Sequence, residues 1–477
     1  MERLIPAGAL PHYDAKDVVF SRLGVGFEKL DRDVFNPEPA YDLIAAIGVK
    51  KIRLQSGWMK TEREEGVYDF AWLDRIVDNL IARGMEPWLC LCYGNPLYTE
   101  LAKPVFGAVG CPPIATEREQ NAWIAYVKAT VEHFRGRIGL YEIWNEPDCN
   151  YSWRHCENEV KDYDKDAYEY GIFASATARA IKEADSSAKV IGFALAHTRA
   201  NGFSFVEIAL STGLHRYIDY VSYHSYSAHD EERCQRVKAL QTLVQSFNPN
   251  IKLIQGESGC QSRSDGAGAL KRMAWTEEKQ QKLLLRILVR DLHCGVEFTS
   301  YFSSLDMVEA LRGRLADKAS YMDYGYFGVL RADFDENGRG TGNYTKKPSY
   351  YALSALASLM QGDVQPQPIA YSKESLPSVR VNGNDCTDST VEVYGFRLED
   401  GRRVVIYWNN VPILTSTYEG TVSLAIYRQK GVAPKVCDLR NGNLYDLPAE
   451  MWEKSGTQGV LLKNLPLTDC PIALIFD

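Results

Sequence analysis

The sequence Leu-Tyr-Glu-Ile-Trp-Asn-Glu-Pro occupies residues 140–147, and Leu-Ile-Gln-Gly-Glu-Ser-Gly occupies residues 253–259. Each stretch begins as a short apolar run and ends in a polar segment that contains a glutamate. Such runs alternate with longer segments of helical period through the first 360 residues, which is typical of βα units with a parallel sheet. Eight runs can be counted, at residues 23–27, 51–54, 87–92, 140–144, 190–195, 220–224, 253–255 and 296–301. They predict an α/β fold, a closed (β/α)8 TIM barrel over residues 23–360.

The segments between these runs have the signals of amphipathic helices. Thr116 and Glu119 form a capping box before an apolar face that includes Trp123 and Val127. Similar faces predict helices at residues 41–47, 71–81, 168–181, 238–247, 282–292 and 349–360. The last of these helices, at residues 349–360, would be the eighth of the ring around the barrel.

The composition and the apolar periodicity of the sequence change after Met360. Residues 361–368 are rich in Gly, Pro and Gln and predict a linker, because Pro and Gly do not continue a helix. Beyond it the apolar period becomes two, as in residues 390–397, 403–408 and 421–427, which predicts an antiparallel β-sandwich domain over residues 369–477. Residues 1–22 form an N-terminal segment that could add a strand to this sandwich.

Composition excludes several classes of protein. Apolar residues are 45% and charged residues 24% of the chain, which excludes disorder and fibrous repeats. The net charge of −8, with scattered basic residues, argues against nucleic-acid and anionic-membrane partners. No signal peptide or long apolar run is seen, which predicts a cytoplasmic protein unless a leader was removed. The 11 cysteines are interpreted mainly as reduced thiols, although a disulfide between Cys149 and Cys156 stays open and would fit export.

The two glutamates of the opening stretches are the strongest chemical signal. In a (β/α)8 barrel the active site lies at the carboxyl ends of the strands, and Glu146 and Glu257 follow the fourth and seventh strands. Alone, Asn145-Glu146-Pro147 could cap a helix, and Gly-Glu-Ser-Gly could be a turn. Together the two carboxylates are the minimum set of catalytic groups for glycoside hydrolysis, one as acid/base and one as nucleophile or base.

With these residues the sequence resembles clan A of the retaining glycoside hydrolases and, within it, family 39, the β-xylosidase and α-L-iduronidase family. The segment at 144–147 looks like the acid/base motif, and those at 219–226, 300–306 and 347–353 are similar to the family's sixth strand, eighth strand and last helix. The departures lie in the predicted pocket. The xylosidases carry Arg-x-His-Gly after the second strand, whereas here Arg53 is followed by Leu-Gln-Ser-Gly-Trp. In the eighth strand they carry Tyr-Trp, whereas here Tyr301 is followed by Phe302.

The resemblance implies a retaining mechanism with Glu257 as nucleophile and Glu146 as acid/base. Arg53 and Tyr226 would keep the nucleophile ionised, since a cation and a hydroxyl donor stabilise a carboxylate. Asn145 would donate to the sugar 2-hydroxyl. His224 would bond a sugar hydroxyl or the acid/base, or would be a buried histidine that holds the strand end.

Aromatic residues near the strand ends are candidates for covering apolar sugar faces. Trp58 and Tyr301 are predicted to bind substrate in this way, and part of the whole set is expected to be core: Trp58, Tyr93, Tyr98, Trp153, Trp275, Tyr301 and Phe302. No metal is expected, since His224 and His229 lack a recognised zinc spacing. No cofactor is expected, because no phosphate-binding glycine motif occurs.

The function predicted from the sequence is a retaining glycosidase that removes a terminal sugar, in the manner of a β-xylosidase, from short oligosaccharides or glycosides. Long loops after strands four, seven and eight would wall in one sugar. A clan A enzyme of other specificity is the first alternative: a β-galactosidase, β-glucosidase, arabinosidase or endo-glycanase. A non-catalytic carbohydrate-binding protein is the second. The carbohydrate substrate is the only partner predicted.

Overall fold

Eight parallel strands close into a barrel in the computed structural model of this protein, which describes residues 1–156, 160–229, 231–311, 313–375, 379–381, 384–386, 391–429 and 431–477. The strands follow chain order around the barrel: Leu23–Gly26, Lys51–Gln55, Glu86–Leu91, Leu140–Ile143, Lys189–Leu195, Tyr220–Tyr223, Lys252–Ser258 and Thr299–Tyr301. Each of the eight apolar runs predicted from the sequence overlaps one of them. The last pairs in parallel with the first, Thr299 with Leu23, so the sheet has no edge.

Helices connect the strands and cover the barrel: Tyr41–Ala45, Trp58–Thr61, Ala71–Ala82, Glu117–His133, Tyr163–Ala184, Ala200–Ser211, Arg233–Phe247, Glu277–His293 and Pro348–Leu359. The helix Glu117–His133 begins where the capping signal predicts, because the Thr116 hydroxyl accepts a hydrogen bond from the Glu119 backbone N–H at 3.2 Å. It buries Trp123, Val127 and Val131. The helix Ala200–Ser211 was not predicted from the sequence.

Two antiparallel sheets form the sandwich. One has seven strands in the order Ile5–Ala9, Asn443–Asp446, Lys435–Asp438, Ile472–Phe476, Arg403–Asn409, Val391–Arg397 and Gln365–Pro366. The other has four, in the order Tyr371–Ser375, Glu419–Tyr427, Gly459–Thr468 and Trp452–Ser455. A separate apolar core, with Val405, Leu424 and Leu462, fills the space between them. The predicted fold class, a barrel with a C-terminal antiparallel sandwich, is therefore confirmed.

Segments that precede and follow the barrel in the sequence both contribute strands to the sandwich. Ile5–Ala9 pairs with Asn443–Asp446, and Gln365–Pro366, inside the segment 361–368 that was predicted as a linker, pairs with Arg397 and Phe396. Gln365 and Pro366 of that segment are thus part of a sheet, and Pro366 lies on its edge strand, where a missing N–H is tolerated. Thr390, the first residue of the predicted strand 390–397, lies outside the described residues.

The helix Glu277–His293 joins the two domains. Nearly all of it is buried, including charged side chains that face the sandwich. Arg286 donates to the backbone carbonyl of Asp469 at 2.6 Å, and Lys282 lies 2.9 Å from the Asp469 carboxylate. These contacts of two buried cations with Asp469 fix one face of the barrel against the sandwich.

Four two-stranded ribbons complete the structure: Glu62–Glu64 with Val67–Tyr68, Met307–Val308 with Tyr324–Gly325, Leu330–Phe334 with Gly340–Lys346, and Val379–Val381 with Asn384–Cys386. Two of them elaborate the connection after the eighth strand, which the sequence predicted only as a long loop. Among the described residues, no helix has both the length and the apolar character needed to cross a membrane.

Candidate active site

The carboxyl ends of the barrel strands bring the predicted polar residues together. Arg53 comes from the second strand, Asn145 and Glu146 follow the fourth, and Tyr226 follows the sixth. Glu257 lies on the seventh strand, and one of its carboxylate oxygens lies within 4.8 Å of one of Glu146. The two glutamates therefore face each other across a distance that one sugar ring atom and its substituent can bridge.

The backbone at the fourth strand end has an uncommon conformation. Trp144 and Glu146 have φ values of 66° and 51°, in the left-handed region that residues with a Cβ seldom adopt. Strain of this kind persists where surrounding contacts hold it and is often found at functional sites. It turns the Glu146 side chain toward the centre of the barrel mouth.

Glu257 is held by two donors. Nη1 of Arg53 lies 2.7 Å from Oε2, and the Tyr226 hydroxyl donates to Oε1 at 2.6 Å. Burial alone would raise the pKa of Glu257, but the charges of His224 and Arg53 and the hydrogen bond from Tyr226 outweigh burial, so the pKa lies below its ordinary value. The carboxylate is therefore ionised near neutral pH.

Arg53 is fully buried and uses each nitrogen of its guanidinium group. Nε donates to Glu142 at 2.7 Å, Nη2 donates to Oδ1 of Asn145 at 2.9 Å, and Nη1 donates to Glu257. The planar guanidinium, which comes from the second strand, fixes two side chains of the fourth strand and its end and one of the seventh strand in one arrangement. Asn145 consequently presents its amide nitrogen, the donor end, away from Arg53.

Glu146 also has two polar neighbours. Nδ1 of His224 lies 2.9 Å from Oε1, and the Tyr151 hydroxyl donates to Oε2 at 2.8 Å. His224 is fully buried and is not one of the residues that line the cavity described below, and its contact is with Glu146. Burial lowers the pKa of His224, but Glu257 and Glu146 raise it further, and the net pKa lies above the ordinary value.

A cavity of about 350 Å³ opens above the two glutamates. This volume is at the lower end of the range for small-molecule sites. The walls include residues from each of the three long loops: Cys149 and Tyr151 after strand four, Ala269 and Leu270 after strand seven, and Glu309 and Leu311 after strand eight. The other lining residues include Glu28, Lys29, Arg32, Gln55, Tyr93, Asn145, His197, Tyr226, Phe302 and Phe327.

Two predicted substrate-binding residues lie elsewhere. Trp58 is fully buried, its ring stacks on Tyr98 and on Tyr126, and its Nε1 donates to Glu62 at 2.6 Å. Tyr301 is also fully buried, and its hydroxyl donates to the Cys260 carbonyl. The prediction that these two rings bind substrate is wrong, because both belong to the barrel core.

Two of the seven aromatic candidates, Tyr93 and Phe302, line the cavity. Successive side chains of a strand point to opposite sides, so the residue after Tyr301 faces the cavity when Tyr301 faces the core. Phe302 packs against Phe327 with ring centroids 5.3 Å apart. The rings of Phe302 and Phe327 give the cavity an apolar surface.

Several cavity residues were missed by the sequence analysis. Glu28 follows the first strand directly, so the rule that identified Glu146 and Glu257 could also have found it. Tyr151 and Glu309 lie on long loops, and His197 follows the fifth strand and is oriented by Asp148 at 3.0 Å. That hydrogen bond is the main reason why the pKa of His197 lies above its ordinary value.

Some predictions about metals and thiols concern the same region. Ligand atoms of Glu146, His224 and Glu257 lie close enough to hold a cation, but Arg53, Tyr226 and Tyr151 already direct protons at those carboxylates and would compete with it. The absence of a metal and of a cofactor stays a prediction. Cys149 and Cys156 both have free thiols.

Glu28 has a titration that can be tested. Burial raises its pKa to about 8, with Arg53 and Lys29 acting to lower it and Glu257 to raise it. The ordinary value is 4.5, so the folded protein keeps this proton to higher pH than the unfolded chain, and stability present below about pH 4.5 is lost as the pH rises toward 8.

The Glu28→Gln variant has no carboxyl proton at this position, so it should not lose stability in this way as the pH rises. We expect its Tm to gain on that of the wild type by at least about 2 °C, or roughly 2 kcal/mol for a chain of this length, between about pH 5 and about pH 9. Thermal unfolding followed by circular dichroism at both pH values measures the change. A difference in Tm that stays constant across this range would show that Glu28 does not take up the proton.

Comparisons with known proteins agree with this geometry. The profile of a family described as Glycosyl hydrolases family 39 matches residues 43–368. A beta-xylosidase of Geobacillus stearothermophilus is 27% identical over 169 residues, which are 34% of this chain and 31% of that relative's length.

Two solved structures share the fold. A family 39 glycoside hydrolase from the gut symbiont Bacteroides cellulosilyticus WH2 has a TM-score of 0.65 at 17% identity, over 98% of this chain and 83% of that one. A GH39 enzyme from Xanthomonas axonopodis pv. citri has a TM-score of 0.61 at 17% identity, over 96% of this chain and 94% of that one. At these identities the likeness concerns the fold.

Proposed function

Because the chain belongs to glycosyl hydrolases family 39, we propose that it is a retaining glycosidase that removes a terminal sugar from short oligosaccharides or glycosides. The observation that carries this proposal is the facing pair of Glu146 and Glu257, which have carboxylate oxygens within 4.8 Å of each other. Retaining enzymes hold their two carboxyl groups about 5 to 5.5 Å apart, whereas inverting enzymes need about 6.5 to 9.5 Å to admit a water molecule.

In the first step, Glu257 attacks the anomeric carbon while Glu146 transfers its proton to the departing glycosidic oxygen. The new bond joins Oε1 or Oε2 of Glu257 to the sugar, and the bond to the leaving group breaks with its electron pair. Arg53 and Tyr226 keep Glu257 ionised before this step. The donor end of Asn145 would bond the sugar 2-hydroxyl, a contact that strengthens in the transition state.

In the second step, Glu146 removes a proton from water, and the resulting hydroxide displaces Glu257 from the anomeric carbon. His224 and Tyr151 both contact the Glu146 carboxylate and would hold it in position between the two steps. The product has the same anomeric configuration as the substrate, because each step inverts it once. Glu146 ends this cycle protonated, ready for the next.

The cavity supports terminal-sugar removal. Its three loop walls and its volume of about 350 Å³ suit one sugar more than an open cleft does. A β-xylosidase-like specificity is supported by the curated relative of that name. Other clan A specificities, and a protein that binds carbohydrate without cleaving it, are outcomes that the following experiment separates.

We expect the protein to hydrolyse at least one member of a panel of 4-nitrophenyl glycosides, with a 4-nitrophenyl xyloside foremost, and to release the sugar with retained configuration. Proton NMR during the first minutes of turnover identifies the anomer before mutarotation. An inverted first product would contradict the covalent intermediate. Absence of turnover on every monosaccharide glycoside, with turnover of longer glycans, would assign endo-acting cleavage.

A further inference from the structure

We propose that Glu28 determines specificity by binding a hydroxyl group of a neutral sugar in the catalytic cavity. This inference rests on the proposed function, since it concerns the sugar held between Glu146 and Glu257. Glu28 lines the same cavity but takes no part in the two steps of hydrolysis described above. Glu28 lies next to Arg53, which also contacts Glu257. It is therefore on the nucleophile's side of the cavity.

The local sequence makes room for this side chain. Glu28 follows the first barrel strand, Leu23–Gly26, and its carboxyl group packs over Gly26. A Cβ at residue 26 would lie 2.2 Å from Oε2 of Glu28, so any larger residue there would displace the carboxyl group. The glycine therefore lets Glu28 fold back over the barrel mouth.

No other described residue donates a normal hydrogen bond to the buried carboxyl group of Glu28. Its side chain is 2% exposed, both carboxyl oxygens lack a partner elsewhere in the described residues, and the only hydrogen bond that lowers its pKa comes from its own backbone N–H. Nη1 of Arg53 lies 3.5 Å from Oε1, a longer approach than the 2.7 Å hydrogen bond that the same nitrogen donates to Glu257. Buried polar atoms almost always have partners, because leaving one unpaired costs free energy. A ligand hydroxyl in the cavity would supply the missing partner.

The protonation of Glu28 suits a hydroxyl group. With its pKa raised to about 8, the carboxyl group is mainly neutral near pH 7 and offers one O–H donor besides its acceptor oxygen. A sugar hydroxyl is also both donor and acceptor, so the two groups can exchange hydrogen bonds without burying a net charge.

The other charges of the cavity favour a neutral sugar over one with a carboxylate. The cations there already have acidic or polar neighbours. Lys29 lies 3.2 Å from Glu309, and Nε of Arg32 lies 3.3 Å from Asp31. Arg53 is occupied by Glu142 and Glu257. A substrate carboxylate would compete with these pairs and would lie near Glu257.

The test combines variants of Glu28 with substrates that lack single hydroxyls. The best glycoside of the panel and its monodeoxy analogues are assayed with wild type, Glu28→Gln and Glu28→Leu. We expect Glu28→Leu to lower kcat/KM for the parent glycoside by about 10²- to 10³-fold, and Glu28→Gln, which keeps a donor and an acceptor, by less than about 10-fold. On one monodeoxy analogue the three proteins should agree within about threefold, because the partner of Glu28 is missing.

Glu119→Gln is the matched control, because Glu119 is another buried glutamate and lies outside the cavity, at the start of a helix. It should keep the wild-type kcat/KM for every substrate. If Glu28→Leu does not fold, as judged by circular dichroism, Glu28→Gln decides. It should then alter the ratio of kcat/KM between the parent and one deoxy analogue by more than about threefold.

Three results would overturn the assignment: equal loss on every deoxy analogue, unchanged kcat/KM in both Glu28 variants, or a wild type that prefers a uronic acid glycoside. Calorimetric binding of the free monosaccharide separates this inference from the proposed function, since binding needs no turnover. A wild type that binds the sugar but does not hydrolyse glycosides would contradict the proposed function. Weaker binding to Glu28→Leu, but not to Glu119→Gln, would still support the site.

Discussion

Replacing Glu257 with alanine is expected to lower kcat by about 10⁴- to 10⁶-fold, the loss that follows removal of a catalytic nucleophile. The variant retains Glu146 and the cavity, so it can bind a glycoside and offer a proton. It has no carboxylate to form the bond to the anomeric carbon. Initial rates with the best 4-nitrophenyl glycoside, measured under saturating substrate, report this loss directly.

Added azide should partly restore turnover of Glu257→Ala. The anion fits the space left by the carboxylate, beside Arg53 and Tyr226, and attacks the anomeric carbon from the nucleophile's side. Only one displacement then occurs, so the glycosyl azide should have the inverted configuration. The Glu119→Gln variant controls for the loss of a buried glutamate and should keep wild-type activity. A Glu257→Ala protein as active as the wild type would refute the mechanism.

The barrel and its two glutamates could be predicted because they depend on periodicity. Apolar runs of strand length recur between helical segments, and that pattern alone puts Glu146 and Glu257 at the carboxyl ends of parallel strands. Arg53 and Tyr226 both contact Glu257 in the structure, and their roles in catalysis stay predictions.

The helix Ala200–Ser211 was missed because its sequence contains Asn201-Gly202, a pair that typically marks a turn. The structure gives a reason for the glycine. A Cβ at residue 202 would lie 1.8 Å from the backbone oxygen of His197, so the close approach of chain segments requires glycine inside a helix. The contact is with the loop just before the helix, and the residue pattern alone does not specify the path of that loop.

The aromatic residues show another limit. Trp58 and Tyr301 lie near strand ends, as a sugar platform would, but the direction of a ring depends on which face of the strand the residue occupies. The eighth strand was predicted to end at Tyr301, and it does end there. Its alternation places Phe302, not Tyr301, at the cavity. Tyr151 reaches Glu146 from a loop whose path the sequence does not specify.

Replacing Glu146 with alanine should have an effect that depends on the leaving group. An unactivated disaccharide needs a proton on its glycosidic oxygen, so kcat/KM should fall by about 10²- to 10⁴-fold. A 4-nitrophenolate leaves without that proton, and kcat/KM for its glycoside should fall much less. Because Glu146 is also needed to activate water, the glycosyl enzyme should accumulate. A stopped-flow burst of 4-nitrophenolate followed by slow turnover would reveal it.

Azide distinguishes this variant from Glu257→Ala. In Glu146→Ala the covalent bond to Glu257 has already formed on one face of the sugar, so azide attacks from the other and yields a glycosyl azide with retained configuration. The two variants, treated with the same anion and the same glycoside, should therefore give opposite anomers. The two variants give opposite anomers only if Glu257 forms the covalent bond and Glu146 protonates the leaving group in the first step and activates water in the second. The same anomer from both variants, or equal losses of kcat/KM with the two leaving groups, would contradict the assignment of roles.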